Sequence, residues 1–328
     1  MKELTYIPFG AQYYRAPTPG PENWERDLTA LRSKGFNTVK LWVQWRWNMP
    51  KQDTYDFSDI DRLMELCGGL GLRVILNIIC DVAPAWFYRD YPDSLMVAAD
   101  GRRLYPQTTA YRQIGGAPGP CYHHREGAEI RRRFIEEAAK RYAGHPALLC
   151  WDLWNEPELT CGIWREASQE NMVCYCAHSV ERFILWLRRR YGSLEVLNRR
   201  WGRNYQAWEE IEPPRCAATF NDMVDWREFF GETLAEELHM RAKAVRLHDG
   251  EHSVMVHTVP MPYFNFMNTG SEEYLLAREM DWFGNSVGSM PFPAVTATTA
   301  ARNKWVLNAE IHAVGGNTMA RPAIPSLE

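Results

Sequence analysis

What the chain lacks narrows its class first. No apolar run approaches the roughly 18 residues of a membrane span. The opening Met1-Lys2-Glu3-Leu4-Thr5 has no apolar stretch after its lysine, so no secretory signal is read and a cytoplasmic protein is expected. Charge of one sign is scarce. With 37 Lys and Arg against 41 Asp and Glu, the net charge of −4 gives no electrostatic basis for binding nucleic acid or an anionic membrane. There is no internal repeat and no low-complexity tract, and Gly115, Gly116 and Gly119 are too irregular for a phosphate loop. Eight cysteines in 328 residues do not suggest a disulfide scaffold; reduced thiols or a metal site fit better.

What remains is a globular composition, 46% hydrophobic and 24% charged, matching one large domain over residues 1–328. Aromatics are plentiful, with 14 Trp. They can fill a core, and they can also stack on the apolar face of a sugar ring.

Strand-like and helical segments alternate. Residues 7–13, 38–44, 73–79, 147–153, 253–257, 281–287 and 304–310 read as strands, most of them unbroken apolar runs of the kind buried on both faces. Helical spacing appears between them: Trp24, Leu28 and Leu31; Ile60, Leu63, Met64 and Cys67; Ile130, Phe134, Ala138 and Tyr142; Val180, Phe183, Ile184 and Leu187; Phe229, Leu234, Leu238 and Val245. Ser58 is placed to cap the second of these helices and Gly68-Gly69 to close it. The alternation predicts an α/β fold, a (β/α)8 TIM barrel. Seven strands are readable; an eighth is not identifiable, and the residues after Glu310 are too few for helix, strand and helix. A truncated chain, or an unusual closure, is therefore expected. The long Gly-, Pro- and Arg-rich segment 87–124 reads as a functional loop, and 158–222 as a helical and loop excursion.

Two strands end in an acid. The run 147–153 stops at Asn155-Glu156-Pro157, where proline blocks further pairing, and the run 304–310 stops at Glu310. In a parallel barrel both carboxylates would project at the C-terminal mouth, where catalytic side chains sit. Either glutamate alone could simply end a strand in a salt bridge. Together they form the pair that glycoside hydrolysis requires, one to protonate the leaving oxygen and one to attack the anomeric carbon. The donor must carry its proton near neutrality, a state favoured by burial and a negative neighbour, and the nucleophile must stay ionised. Glu156 suits the first role and Glu310 the second. Asn155 is placed to bind a sugar 2-hydroxyl.

At Asn155-Glu156 and Glu310 the chain resembles the retaining clan A barrels, and more narrowly the catalytic domain of glycoside hydrolase family 42, the β-galactosidases. Phe9-Gly10-Ala11-Gln12-Tyr13-Tyr14, Trp45 with Tyr55-Asp56-Phe57, Ala83-Pro84-Ala85-Trp86, Tyr91-Pro92, His145-Pro146 and Trp201-Gly202 carry the resemblance. It implies a retaining β-galactosidase with Glu156 as acid/base, Glu310 as nucleophile and Asn155 on the sugar. It also implies an oligosaccharide or other glycoside as substrate, no cofactor for catalysis, and often a trimer, hence a homo-oligomer. The family's later domains are not expected in this chain. Pro157 stands where the family usually has tyrosine, and His312 where glutamine is common. Other clan A activities (β-glucosidase, β-mannosidase or arabinopyranosidase) use the same two glutamates, and a non-catalytic carbohydrate-binding barrel is the reading from a different class.

Four further features come with the resemblance or beside it. Cys121, Cys174 and Cys176 resemble a cysteine cluster that binds structural zinc in some members, with Ser179 where a further cysteine would stand and Cys161 or His178 as replacements. Without metal they are buried thiols. Arg102 and Arg103 read as solvated, though the family places a substrate-binding arginine near here, which singles out Arg103. Trp282 and Tyr263 lie near strand ends, where they could stack on sugar or join the core. Of His123-His124, one is expected to cap or pack and the other to line the cleft.

Overall fold

The computed structural model describes residues 6–105, 119–159, 172–216, 221–258, 270–286, 298 and 300–310. Its centre is a parallel sheet of seven strands in sequence order. These are β1 (Gly10–Arg15), β2 (Thr38–Gln44), β3 (Arg73–Ile79), β4 (Leu148–Asn155), β5 (Ser253–Thr258), β6 (Trp282–Asn285) and β7 (Trp305–Asn308). Every neighbouring pair is parallel, so all seven C-terminal ends open on one face. The helices α1 (Trp24–Ser33), α2 (Trp45–Asn48), α3 (Ser58–Gly69), α4 (Ala85–Asp90), α5 (Arg125–Tyr142), α6 (Ala177–Tyr191), α7 (Leu194–Trp201), α8 (Asn221–Arg246) and α9 (Glu273–Ala277) fall between the strands. This is the (β/α)8 architecture read from the alternation, with seven strands among the described residues. None of the described helices is long and apolar enough to cross a membrane.

The first strand starts later than its apolar pattern suggests. Ile7 and Phe9 are exposed, and pairing begins at Gly10, where an added Cβ would lie 2.2 Å from the Thr38 carbonyl oxygen. Between β1 and β7 lies a cavity of about 550 Å³, lined by Gly10, Gln12, Thr38, Lys40, Leu307 and Glu310 among others. It marks the seam an eighth strand would occupy. Gln12 Nε2 crosses it to the Ala309 carbonyl at 3.4 Å.

The helix over 58–69 forms as its spacing predicts, but Ser58 is its first residue and not its cap. Asp56 Oδ1 accepts the Ser58 N–H at 3.0 Å, so a carboxylate satisfies that donor. The helix runs through Gly68-Gly69, and the chain turns at Gly71, with φ +65°. At α5 the cap is His124, whose Nδ1 accepts the Gly127 N–H at 3.0 Å. His123 instead packs, stacking on Phe229 and bonding Ser179 Oγ and Thr233 Oγ1.

Inside the sheet the side chains form layers. The floor is apolar, with Ile75, Cys150, Met255 and Trp282 in one cluster against Leu307. The layer above is charged, made of Lys40, Asp152 and His257, all buried. The larger core lies between the strands and the helices, where Trp151, Trp154, Phe134, Phe183 and Trp226 pack.

Candidate active site

The site is built where β4 and β7 run out. Asn155 ends β4, and Glu156 follows with φ +49°, a left-handed conformation uncommon for a side chain of this size. That bend is held by the Glu156 N–H, which donates to the His257 carbonyl of the adjoining β5 at 2.9 Å. Glu310 lies two residues past β7, and its N–H and that of Ala309 both donate to the Asn285 carbonyl at the end of β6. The two glutamates and His257 come together at the mouth. One carboxylate oxygen from each acid and one imidazole nitrogen all lie within 4.8 Å of one another.

The surroundings of Glu310 are cationic. His257 Nε2 lies 3.8 Å and Arg15 Nη2 3.9 Å from its Oε2. Burial alone would raise the pKa of this carboxyl, but His257, Gln12 and Arg15 outweigh it and hold the group well below the usual carboxylate range. These neighbours favour the carboxylate form of Glu310. Arg15 stacks its guanidinium 3.2 Å from the centroid of the Trp42 ring, while its Nη2 donates to Gln12 Oε1 at 3.1 Å. Asn155 is buried, and among the described residues its Oδ1 meets no hydrogen-bond partner. A buried amide oxygen beside the acid is suited to receive a hydroxyl from a ligand.

The sequence profile of glycoside hydrolase family 42, described as β-galactosidase, matches residues 12–306. The chain belongs to glycoside hydrolase family 42. The β-galactosidase LacZ of Heyndrickxia coagulans is 30% identical over 258 residues, which cover 74% of this family 42 chain and 36% of that protein. The β-galactosidase bgaB of Geobacillus kaustophilus is 30% identical over 244 residues, covering 71% and 33%. The chain thus spans about a third of the length of these relatives. Among solved structures, the β-galactosidase from Bacillus circulans sp. alkalophilus superposes with a TM-score of 0.72 at 22% identity, covering 89% of this chain and 42% of that one. At that identity the match speaks for the barrel fold.

The other residues singled out in the family 42 sequence are placed unequally. Trp282 opens β6 at its N-terminal end and packs in the apolar floor with Ile75, Cys150 and Met255, at the far end of the strand from the mouth. Its expected place on the sugar is therefore corrected. An aromatic near a strand boundary does not reveal which boundary it occupies. Arg103 is exposed after β3, its backbone bridging to Val97, and among the described residues it forms no hydrogen bond or ion pair with either glutamate. Cys121, Cys174 and Cys176 are buried with their sulfurs within 4.8 Å of one another. Tyr263, Cys161 and His312 lie outside the described residues.

Sequence reasoning passed over Lys40, Asp152 and His257. The signal was present: each is a charged or titratable residue in the middle or at the end of an otherwise apolar strand, where only a paired group is tolerated.

Proposed function

We propose that this family 42 chain hydrolyses terminal β-galactosides with retention of anomeric configuration. The observation that carries the reading is the approach of the Glu156 and Glu310 carboxylates to within 4.8 Å. Retaining enzymes hold their two carboxyl groups about 5–5.5 Å apart, whereas inverting enzymes need about 6.5–9.5 Å to admit a water. The preference for galactose is supported by the curated relatives, which are β-galactosidases.

In this mechanism Glu310, kept anionic by His257 and Arg15, attacks the anomeric carbon as Glu156 gives its proton to the departing oxygen. The Glu156 carboxylate then takes a proton from water, which displaces Glu310 and regenerates the β-anomer. Asn155 Oδ1 accepts from the sugar 2-hydroxyl, a contact that strengthens as positive charge develops on the ring. The test uses aryl β-galactosides of graded leaving-group acidity. Glu310→Gln is expected to abolish turnover. Glu156→Gln loses about 10²–10⁴-fold on poor leaving groups and far less on activated ones. Full activity in either variant, or an α-anomer as first product, would overturn the assignment. A panel of other nitrophenyl β-glycosides decides the sugar.

We also propose a structural zinc, with no part in bond cleavage, held by Cys121, Cys174 and Cys176. The donor set fits: three soft sulfurs converge, Cys176 Sγ lies 3.4 Å from Cys121 Sγ, and Ser179 Oγ lies beside them, 3.2 Å from Cys121 Sγ. His178 is not drawn to this cluster, because its Nε2 is 3.2 Å from Asp93 Oδ2. Metal analysis of fresh protein should find about one equivalent of zinc, and a value well below that counts against the site.

A further inference from the structure

Barrel interiors of this kind are usually filled with branched apolar side chains, as the floor of this one is. The layer directly beneath the mouth is not. Lys40, Asp152 and His257 come from β2, β4 and β5, with side chains 4%, 0% and 0% exposed. Lys40 Nζ lies 2.7 Å from Asp152 Oδ2, and that same oxygen lies 2.8 Å from His257 Nδ1. The chain of charges then continues upward, from His257 Nε2 to Glu310 Oε2 at 3.8 Å. A buried ion network is a poor source of stability, since well-packed apolar groups commonly do as well or better. Its course, rising from the barrel centre to one oxygen of the nucleophile, calls for another reason.

We propose that His257, oriented by Asp152 and Lys40, is the positioning residue of the catalytic pair, keeping Glu310 ionised and aimed across the gap at Glu156. The proposal rests on the reading of Glu310 as nucleophile. Asp152 Oδ2, 2.8 Å away, and Lys40 Nζ, 3.3 Å away, both face Nδ1 of the ring, which leaves Nε2 toward Glu310. His257 also holds the other acid through its backbone, because its carbonyl accepts the Glu156 N–H. One residue therefore touches both acids, Glu310 through its ring and Glu156 through its carbonyl.

The charges facing the ring are Lys40 from β2, Asp152 from β4, Glu156 just past β4, and Glu310 just past β7. Burial disfavours the imidazolium and Lys40 opposes it, but Asp152 and Glu310 prevail and His257 titrates above its ordinary value. Arg15 reaches the same Glu310 oxygen from the solvent side with its side chain 37% exposed, where water screens it. His257 acts from within, unscreened.

Two measurements test this. In kinetics on an aryl β-galactoside, His257→Gln and Asp152→Asn should lower kcat, the former on the order of 100-fold, with KM little changed. The acid limb of kcat/KM should move upward by about one unit or more in His257→Gln, and less in Arg15→Gln. Independently of turnover, the imidazole titration of His257, followed by NMR, should shift downward by about one unit in Glu310→Gln, a change at the mouth that leaves the core closed. An unmoved His257 titration in that variant, or an unmoved acid limb in a folded His257→Gln, would overturn the proposal. Azide added to Glu310→Ala separates the two readings. Restored turnover giving an α-galactosyl azide upholds Glu310 as nucleophile whatever His257 does. No restoration removes the nucleophile reading, and with it the catalytic role of His257, even where the titration proves the contact.

Discussion

Glu237→Gln should cost the protein about 3–5 kcal/mol of stability, the range expected when one partner of a buried ion network is removed. Glu237 lies on α8 and is buried between two fully buried arginines. Arg131 of α5 donates to it twice, Nε to Oε1 and Nη2 to Oε2, both at 3.1 Å, and Arg241 Nε donates to Oε1 at 3.0 Å. At an effective dielectric of about 20, each contact is worth roughly 5 kcal/mol in gross attraction. Desolvating three ions offsets most of that, so the network adds little net stability while intact. The substitution exposes the imbalance. With its oxygen toward the two Nε donors, the glutamine turns its NH2 against Arg131 Nη2, donor against donor, and both guanidinium charges stay buried with, among the described residues, no counter-charge nearer than Asp81, 3.9 Å from Arg241.

The loss should reach the active site, since Arg241 also donates to the Leu153 carbonyl at 3.1 Å and lies 3.8 Å from the Trp154 ring centroid, just before Asn155. Urea unfolding followed by tryptophan fluorescence gives the answer, as a midpoint lowered by roughly 1–2 M for a slope near 3 kcal/mol/M. A loss below about 1 kcal/mol, the size of an exposed pair, would refute the reasoning.

Gly284→Ala would bring a Cβ to 2.5 Å from His257 Cβ and 3.1 Å from Ala309 Cβ. It should cost about 1–3 kcal/mol in denaturant unfolding and lower kcat by displacing the ring; wild-type kcat would show that the ring's seat is not critical. The His257–Glu310 contact makes stability depend on pH in both directions. His257 is raised, so its contribution is complete below its unfolded value of about 6.5 and is lost as pH rises through the folded value; Glu310 is lowered, so its contribution is complete above about 4.3 and is lost as pH falls. The stability deficit of Glu310→Gln against the parent should therefore be largest between those limits, and a deficit equal at about pH 3.5, 5.5 and 9 would contradict it. Ser179→Cys should tighten zinc retention by completing four sulfur ligands, read as slower metal loss to a chelator; unchanged loss would remove Ser179 from the fourth position.

Much of this arrangement was legible in the sequence alone. An apolar run without helical period, such as 38–44 or 73–79, has few ways to be buried other than as an inner parallel strand, and each formed where expected. Glu156 and Glu310 could be paired from the same logic, because strands that all run one way must bring their ends to one face. The matching motifs then pointed to the family. What a run buried on both faces conceals is which residues point inward. Lys40 and His257 are 217 positions apart and meet only because β2 and β5 enclose the same interior. The end of β6 that Trp282 occupies, the cap that Asp56 takes from Ser58, and the distances between carboxylates also depend on how the strands register and tilt. Local sequence therefore determined the strands and the acids that end them. The layering of apolar floor, buried charges and catalytic mouth was decided only by closing the strands around a common interior, since register and inward orientation are properties of the whole sheet.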